Sequence, residues 1–168
     1  MDDEQNKQQG LYFPQLEKDS CGTGLIANLY GNKSHQLVEN ALAMLQNMEH
    51  RGACGYEANT GDGAGILTQM PDEFFRNKCR ELNIELPPFS AYGVGMVFFP
   101  NDRSLRSQCR VLLNDNIDEM GFELLGYRKV PTDDELLGDS AVAVEPRMEQ
   151  VFVRPLKPLD PKDRKSVV

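Results

Sequence analysis

Cys21 constrains this chain more than any other residue, because it stands where a core cysteine does not belong. It lies in Asp19-Ser20-Cys21-Gly22-Thr23-Gly24, after a polar leader and just ahead of the apolar run Leu25-Ile26-Ala27-Asn28-Leu29-Tyr30. A structural cysteine behaves as a small hydrophobe and belongs inside an apolar segment. Here its neighbours are an acid, a hydroxyl and two glycines, which suit a turn where the backbone can approach a ligand closely. If Ser20-Cys21 is cleaved, Cys21 gains a free α-amino group. Amine and thiol would then form a self-contained base and nucleophile. On the residues alone, the buried-thiol reading and the nucleophile reading both stand.

With 168 residues and 40% apolar side chains, the chain is long enough for one domain with a real core. A formal net charge of −8 disfavours nucleic acid and anionic membrane as partners, since both select basic surfaces. The cysteines at 21, 54, 79 and 109 form no Cys-x-x-Cys pair, and none has a histidine at metal-ligand spacing. No metal site is therefore expected. The first twenty residues lack the apolar core of a signal peptide, and no stretch is long enough to span a bilayer. The expectation is a reducing, cytoplasmic setting with free thiols.

Residues 1–10 are polar and low in complexity, and disorder is expected there. Leu11-Tyr12-Phe13-Pro14 is a candidate anchor against the body. Leu25 to Tyr30 reads as a strand closed by a turn at Gly31-Asn32. Ser34 then caps a helix running to about His50, with Leu37, Val38, Ala41, Leu42, Leu45 and Met48 on one stripe. Arg51 suits the end of that helix, and Gly52 its termination. After the glycine-rich segment 53–65, Ile66 to Met70 reads as a short strand and Pro71-Asp72-Glu73 as a helix start. Past the Pro87-Pro88 break, Tyr92 to Phe99 is a strand. Asn101-Asp102 caps a helix whose inner face is Leu105, Cys109, Leu112, Leu113 and Ile117. Phe122 to Val130 and Met148 to Val153 are further strands, whereas residues 158–168 close no element.

Two glycine patterns invite a nucleotide reading. Gly22-Thr23-Gly24-Leu25-Ile26-Ala27 matches Gly-x-Gly-x-x-Ala, but that fingerprint needs a buried strand before it and a helix opening on it. Leu16 to Cys21 makes a poor strand, and the following segment reads as a strand rather than a helix. Gly61-Asp62-Gly63-Ala64-Gly65 lacks the Gly-Lys-Ser/Thr ending of a phosphate loop. It suits a tight loop in which glycines supply positive φ. Lone histidines such as His35 and His50 read as structural or solvated.

Asp19-Ser20-Cys21-Gly22-x-Gly24, His50-Arg51-Gly52-Ala53 and Thr60-Gly61-Asp62-Gly63-Ala64-Gly65-Ile66-Leu67, in that order and spacing, resemble the glutamate synthase family. The likeness is to the N-terminal class II glutamine amidotransferase domain of the large subunit. It is specific from about Leu11 to Phe99 and looser to about Pro155. It implies an α+β fold, namely an incomplete four-layer αββα sandwich of the N-terminal-nucleophile hydrolases, with residues 1–20 as a leader and 21–168 as a partial amidotransferase domain. It also implies that Cys21 is the nucleophile, with its α-amine as base after cleavage, and that Arg51 supports the thiolate. Gly61, Asp62, Gly63 and Gly65 would form a structural loop. The implied substrate is glutamine, hydrolysed to glutamate and ammonia, and the ammonia feeds reductive amination of 2-oxoglutarate.

By the same resemblance, no cofactor belongs to this stretch. FMN and an iron–sulfur cluster belong to the remainder of the chain, and electrons come through a small reductase subunit or ferredoxin. The family's oxyanion-hole Asn-Gly pair and its glutamine clamps lie past residue 168, so a truncated and inactive piece is expected. Loss of one oxyanion donor alone costs about 10²–10³ in rate. Two alternatives stay open on the sequence. One is a non-catalytic paralogue or partner-binding module, and the other is a small nucleotide-binding module using Gly22, Gly24 and Ala27.

Overall fold

The computed structural model describes residues 22–49, 52, 57, 59–61 and 63–157, in two compact units divided between Thr68 and Gln69. In the first unit, Asn28 folds the chain back on itself. Its side-chain oxygen accepts from the backbone N–H of Tyr30 at 2.9 Å and of Asn32 at 3.1 Å. The Gly31 N–H donates to the Asn28 carbonyl, and Gly31 takes φ +71°, a region that glycine enters without penalty. The expected strand from Leu25 to Tyr30 does not form. Residues 22–28 carry no regular structure, and Leu25 and Leu29 are almost fully exposed. Ile66 to Met70 is likewise irregular rather than a strand. An apolar run has β propensity only as far as a neighbouring strand satisfies its backbone, and neither segment is assigned a ladder.

Helix α1 spans His35–Asn47. Ser34 occupies the N-cap in extended conformation but makes no side-chain cap bond. Leu37, Val38, Ala41, Leu45 and Met48 are half-buried, as their spacing requires, whereas Leu42 is exposed. The helix stops before His50, because its last turn tightens into an i→i−3 bond from the Met48 N–H to the Leu45 carbonyl. A second such bond runs from the Gly52 N–H to the Glu49 carbonyl. Gly52 thus belongs to a turn after the helix and does not terminate it.

The second unit holds α2 (Asp72–Glu81), β1 (Gly93–Phe99), α3 (Arg103–Glu119), β2 (Phe122–Lys129), α4 (Asp139–Val144) and β3 (Arg147–Pro155). Asp72 and Glu73 open α2 and Lys78 and Arg80 close it, matching the helix dipole at both ends. At the start of α3, Asp102 accepts the Leu105 N–H at 2.7 Å, the cap expected from the sequence. The short α4, inside the connection between β2 and β3, carries no strong apolar period that would announce it.

The sheet order is β1-β3-β2, with β3 antiparallel to both neighbours. β1 and β2 are therefore parallel to each other, joined through α3, with β3 inserted between them: a split β-α-β arrangement. Phe152 of β3 lies opposite Val94 on one side and Gly126 on the other. It is fully buried, meeting Phe75 of α2 edge-to-face at 5.5 Å. Phe75, Cys79, Tyr92 and Phe152 form the core, with Met70, Ile84, Leu86, Val94 and Leu125 packed around them. Leu125 is the extra residue of a β-bulge, and Gly126 beside it has φ +157°. A Cβ on Gly126 would come within 2.6 Å of Ile84 Cδ1. The absent side chain is what lets the segment after α2 close on the sheet.

The opposite face carries α3, and here the expected helix face needs correction. Leu105 and Leu112 are exposed. Arg106, Cys109, Arg110, Leu113, Asn114 and Ile117 are half-buried instead. Polar groups claim this interface because β3 buries a carboxylate beneath it. Glu149 is 3% exposed, is bound by Arg110, and has Arg147 Nε at 3.5 Å. The Arg110 guanidinium also lies over the rings of Tyr127 and Phe99, at 4.7 and 5.5 Å, and Tyr127 Oη donates to Asn114 Oδ1 at 2.7 Å. No described helix is long and apolar enough to cross a membrane.

Candidate functional site

Cys21, Arg51 and Asp62 lie outside the described residues, as do the leader 1–20 and the tail 158–168. Cys54 and His50 lie outside them too. What the structure describes is the chain after Cys21 and the residues flanking Arg51 and Asp62. Gly22, Thr23 and Gly24 are exposed and continue into no helix. The dinucleotide fingerprint requires a helix opening on its glycines, and the first helix among the described residues begins at His35, so Gly22, Gly24 and Ala27 do not form that motif.

Gly24 is nonetheless a position of close approach. A Cβ there would run into the thioether of Met44 on α1. The segment that leaves Cys21 therefore lies directly against the half-buried face of α1, and glycine makes that contact possible. The collision would be with the flexible end of a methionine, so it is a modest constraint.

Later in the same unit, Glu57 and Thr60 close a turn just ahead of the glycine-rich loop. Thr60 Oγ1 donates to Glu57 Oε2 at 2.7 Å, and the Thr60 N–H donates to the Glu57 carbonyl at 3.1 Å. Gly63 then takes φ +86°, the left-handed conformation expected for this loop. Gly61 and Gly65 are exposed, and the Cβ position of Gly65 faces open space. The loop's demand for glycine is thus backbone conformation at Gly63 rather than crowding.

Cys79 is the contrasting thiol. It is fully buried between α2 and the sheet, and that burial pushes its pKa up, opposed by the nearby Arg128 charge. It is held as an uncharged thiol and fits the structural role. Cys79 and Cys109 are free, and among the described residues no group of three or more His, Cys, Asp or Glu could hold a metal ion. These residues do not fit an iron–sulfur cluster, which takes four cysteine thiolates held together.

Concavities of the second unit include one of about 240 Å³ beside Asn114, Ile117 and Phe122 and one of about 450 Å³ beside Arg76, Arg80 and Glu85. Neither pairs a nucleophile with a base. Sequence reasoning misses the polar network at the start of α2. There Tyr92 Oη donates to Asp72 Oδ1 at 2.7 Å and Arg76 Nε to Asp72 Oδ2 at 2.9 Å. Arg76 also reaches the Leu86 carbonyl at 3.0 Å and the Pro87 carbonyl. Its role is to tie α2 to the Pro87-Pro88 break.

The family model for class-II glutamine amidotransferases matches residues 21–166, so the chain belongs to that enzyme family. Among particular relatives, it is 44% identical over 147 residues to the glutamate synthase [NADPH] large chain of Bacillus subtilis, covering 88% of this chain and 10% of that one. It is 40% identical over 152 residues to the glutamate synthase [NADH] of Saccharomyces cerevisiae, covering 88% and 7%. It is also 40% identical over 137 residues to ferredoxin-dependent glutamate synthase 2 of Synechocystis, covering 82% and 9%. The chain spans a tenth or less of the length of these curated relatives.

Proposed function

We propose that this chain carries the glutamine-hydrolysing centre of a glutamate synthase, with Cys21 as its nucleophile. The observation that carries the reading is the start of the family match at residue 21, on the cysteine itself. That start supports residues 1–20 as a removable leader and 21–168 as amidotransferase domain. The thiolate of Cys21 attacks the side-chain carboxamide carbon of glutamine, and the α-amine takes the thiol proton. The C–N bond then breaks, and the leaving nitrogen receives that proton and departs as ammonia. Water cleaves the γ-glutamyl thioester, giving glutamate and restoring the thiol. An α-amine serves well as base because its pKa, about 7.7–8.0, lies far below that of a lysine side chain.

Arg51 stands two residues past Glu49 and one before Gly52, in the sequence that follows α1, and is assigned to support of the thiolate. Gly61, Asp62, Gly63 and Gly65 are assigned to a loop that shapes the site. In the longer polypeptide the ammonia feeds reductive amination of 2-oxoglutarate at a centre that would hold FMN and an iron–sulfur cluster. The names of the relatives support a nicotinamide cofactor or ferredoxin as electron source. The fold proposed is the αββα sandwich of N-terminal-nucleophile hydrolases, here incomplete, and the compartment is the cytoplasm.

The test is ammonia release from glutamine by the longer polypeptide, with and without Cys21→Ala. Loss of more than about 10³-fold supports the assignment. Retention of activity places the nucleophile elsewhere.

A further inference from the structure

Gly24 stands three residues after Cys21, and its backbone is seated on helix α1. A Cβ there would lie 2.4 Å from Met44 Sδ, 2.8 Å from Met44 Cε and 3.3 Å from Met44 Cγ. The φ of Gly24 is not positive, so space rather than backbone conformation asks for glycine at this position. Met44 is half-buried and lies in the last turn of α1, between the half-buried Ala41 and Met48. The chain that leaves this end of the helix comes to Arg51 seven residues after Met44. One contact therefore joins the segment that begins at Cys21 to the helix that leads to Arg51. Three residues span at most about 10–11 Å, so Cys21 stays within that reach of the seat.

We propose that Gly24 and Met44 are positioning residues for Cys21: the bare backbone of Gly24 rests on the Met44 thioether, and that seat sets where the thiol stands relative to glutamine. The proposal rests on the assignment of Cys21 as nucleophile. Carbon atoms pack at about 3.5–4.0 Å, so a methyl group on Gly24 forces an opening of about 1 Å or more. The tip of Met44 can swing aside, which keeps the cost to stability small. It does not absorb the whole opening, because Cγ, on the stem of the side chain, is also closer than ordinary contact. Catalysis is less forgiving than folding, and a misplacement of about 1 Å costs about 10²-fold in rate. A positioning seat thus has a signature that a merely structural glycine lacks: turnover falls while stability stays.

The experiment is steady-state ammonia release from glutamine by the longer polypeptide, with kcat expressed per chain that intact mass shows to begin at Cys21. Gly24→Ala is expected to lower kcat about 10-fold or more, with KM within about twofold of the wild type and Tm unchanged. Adding Met44→Ala to Gly24→Ala vacates the space, and the double variant is expected to return to within about threefold of wild-type kcat. A wild-type kcat in Gly24→Ala, a loss that Met44→Ala does not relieve, a loss matched by a fall in Tm, or a Gly24→Ala chain that keeps its leader would each overturn the proposal. Cys21→Ala, measured beside them, separates the two assignments. If it is inactive while Gly24→Ala keeps wild-type kcat, the positioning proposal alone falls. If Cys21→Ala keeps its activity, the nucleophile assignment falls and takes the positioning proposal with it.

Discussion

Phe152→Ala tests whether the second unit is organised around one aromatic contact. Phe152 is fully buried, sits on the central strand, and meets Phe75 edge-to-face at 5.5 Å. Truncation to alanine forfeits the transfer free energy of the ring and leaves a cavity that α2 and the sheet cannot both collapse to fill. Such changes cost about 3–5 kcal/mol. The unit contains roughly one hundred residues, for which each kcal/mol lowers Tm by about 4–8 °C. The expected fall is therefore about 12–40 °C. Against a typical domain stability of about 5–15 kcal/mol, that loss removes between about a fifth and all of the unit's stability. Phe152→Leu, which keeps most of the volume, is expected to lose under about 1.5 kcal/mol. Urea titration followed by far-UV circular dichroism measures both. A loss below about 1 kcal/mol for the alanine variant, well under the range for a buried ring, would refute the claim that this ring organises the core.

Alkaline pH should weaken the same unit. Burial, then the hydrogen bond to Asp72, raises the Tyr92 pKa, and burial raises that of Cys79. A group whose folded pKa is raised lends its full stability below the unfolded value and loses it as pH climbs above that value. Unfolding free energy should therefore begin to fall as pH passes about 9, the ordinary thiol value, and fall further past about 10, the ordinary tyrosine value, the second part being shallower in Tyr92→Phe. Gly126→Ala should destabilise through the contact with Ile84, and a simultaneous Ile84→Ala should recover part of the loss, a non-additivity that a double-mutant cycle reads directly. Asp102→Ala should cost about 1 kcal/mol because a cap bond is lost, whereas Ser34→Ala, at a cap without such a bond, should cost less than half of that by the same titration.

The sequence was most legible where local chemistry and tertiary packing agree. Asp102 caps α3, acids open α2, and β1, β2 and β3 stand within a few residues of the alternating apolar runs. It misled where periodicity has to stand in for a partner. Leu25 to Tyr30 has the composition of a strand, but no ladder satisfies its backbone, and the side chain of Asn28 directs a turn instead. Leu105 and Leu112 match the period of α3 and yet face solvent, because the buried carboxylate of Glu149 draws Arg110 inward. Strand position 149 shows that an acid can be a core residue once a counter-charge, here Arg110, arrives from another element, which no window along the chain reveals. Of the candidate site, only the glycine-rich loop lies partly among the described residues. Its glycine at 63 was expected for positive φ and has it. Cys21 and Arg51 stand out by motif and order, and the match to class-II glutamine amidotransferases begins on that same cysteine.

Intact mass of the purified protein, before and after exposure to an electrophilic glutamine analogue, tests the central assignment most directly. Loss of residues 1–20 and a single adduct on Cys21, blocked by excess glutamine, is the predicted result for the longer polypeptide. An unprocessed leader with no adduct on Cys21, or labelling of another cysteine in its place, would contradict it.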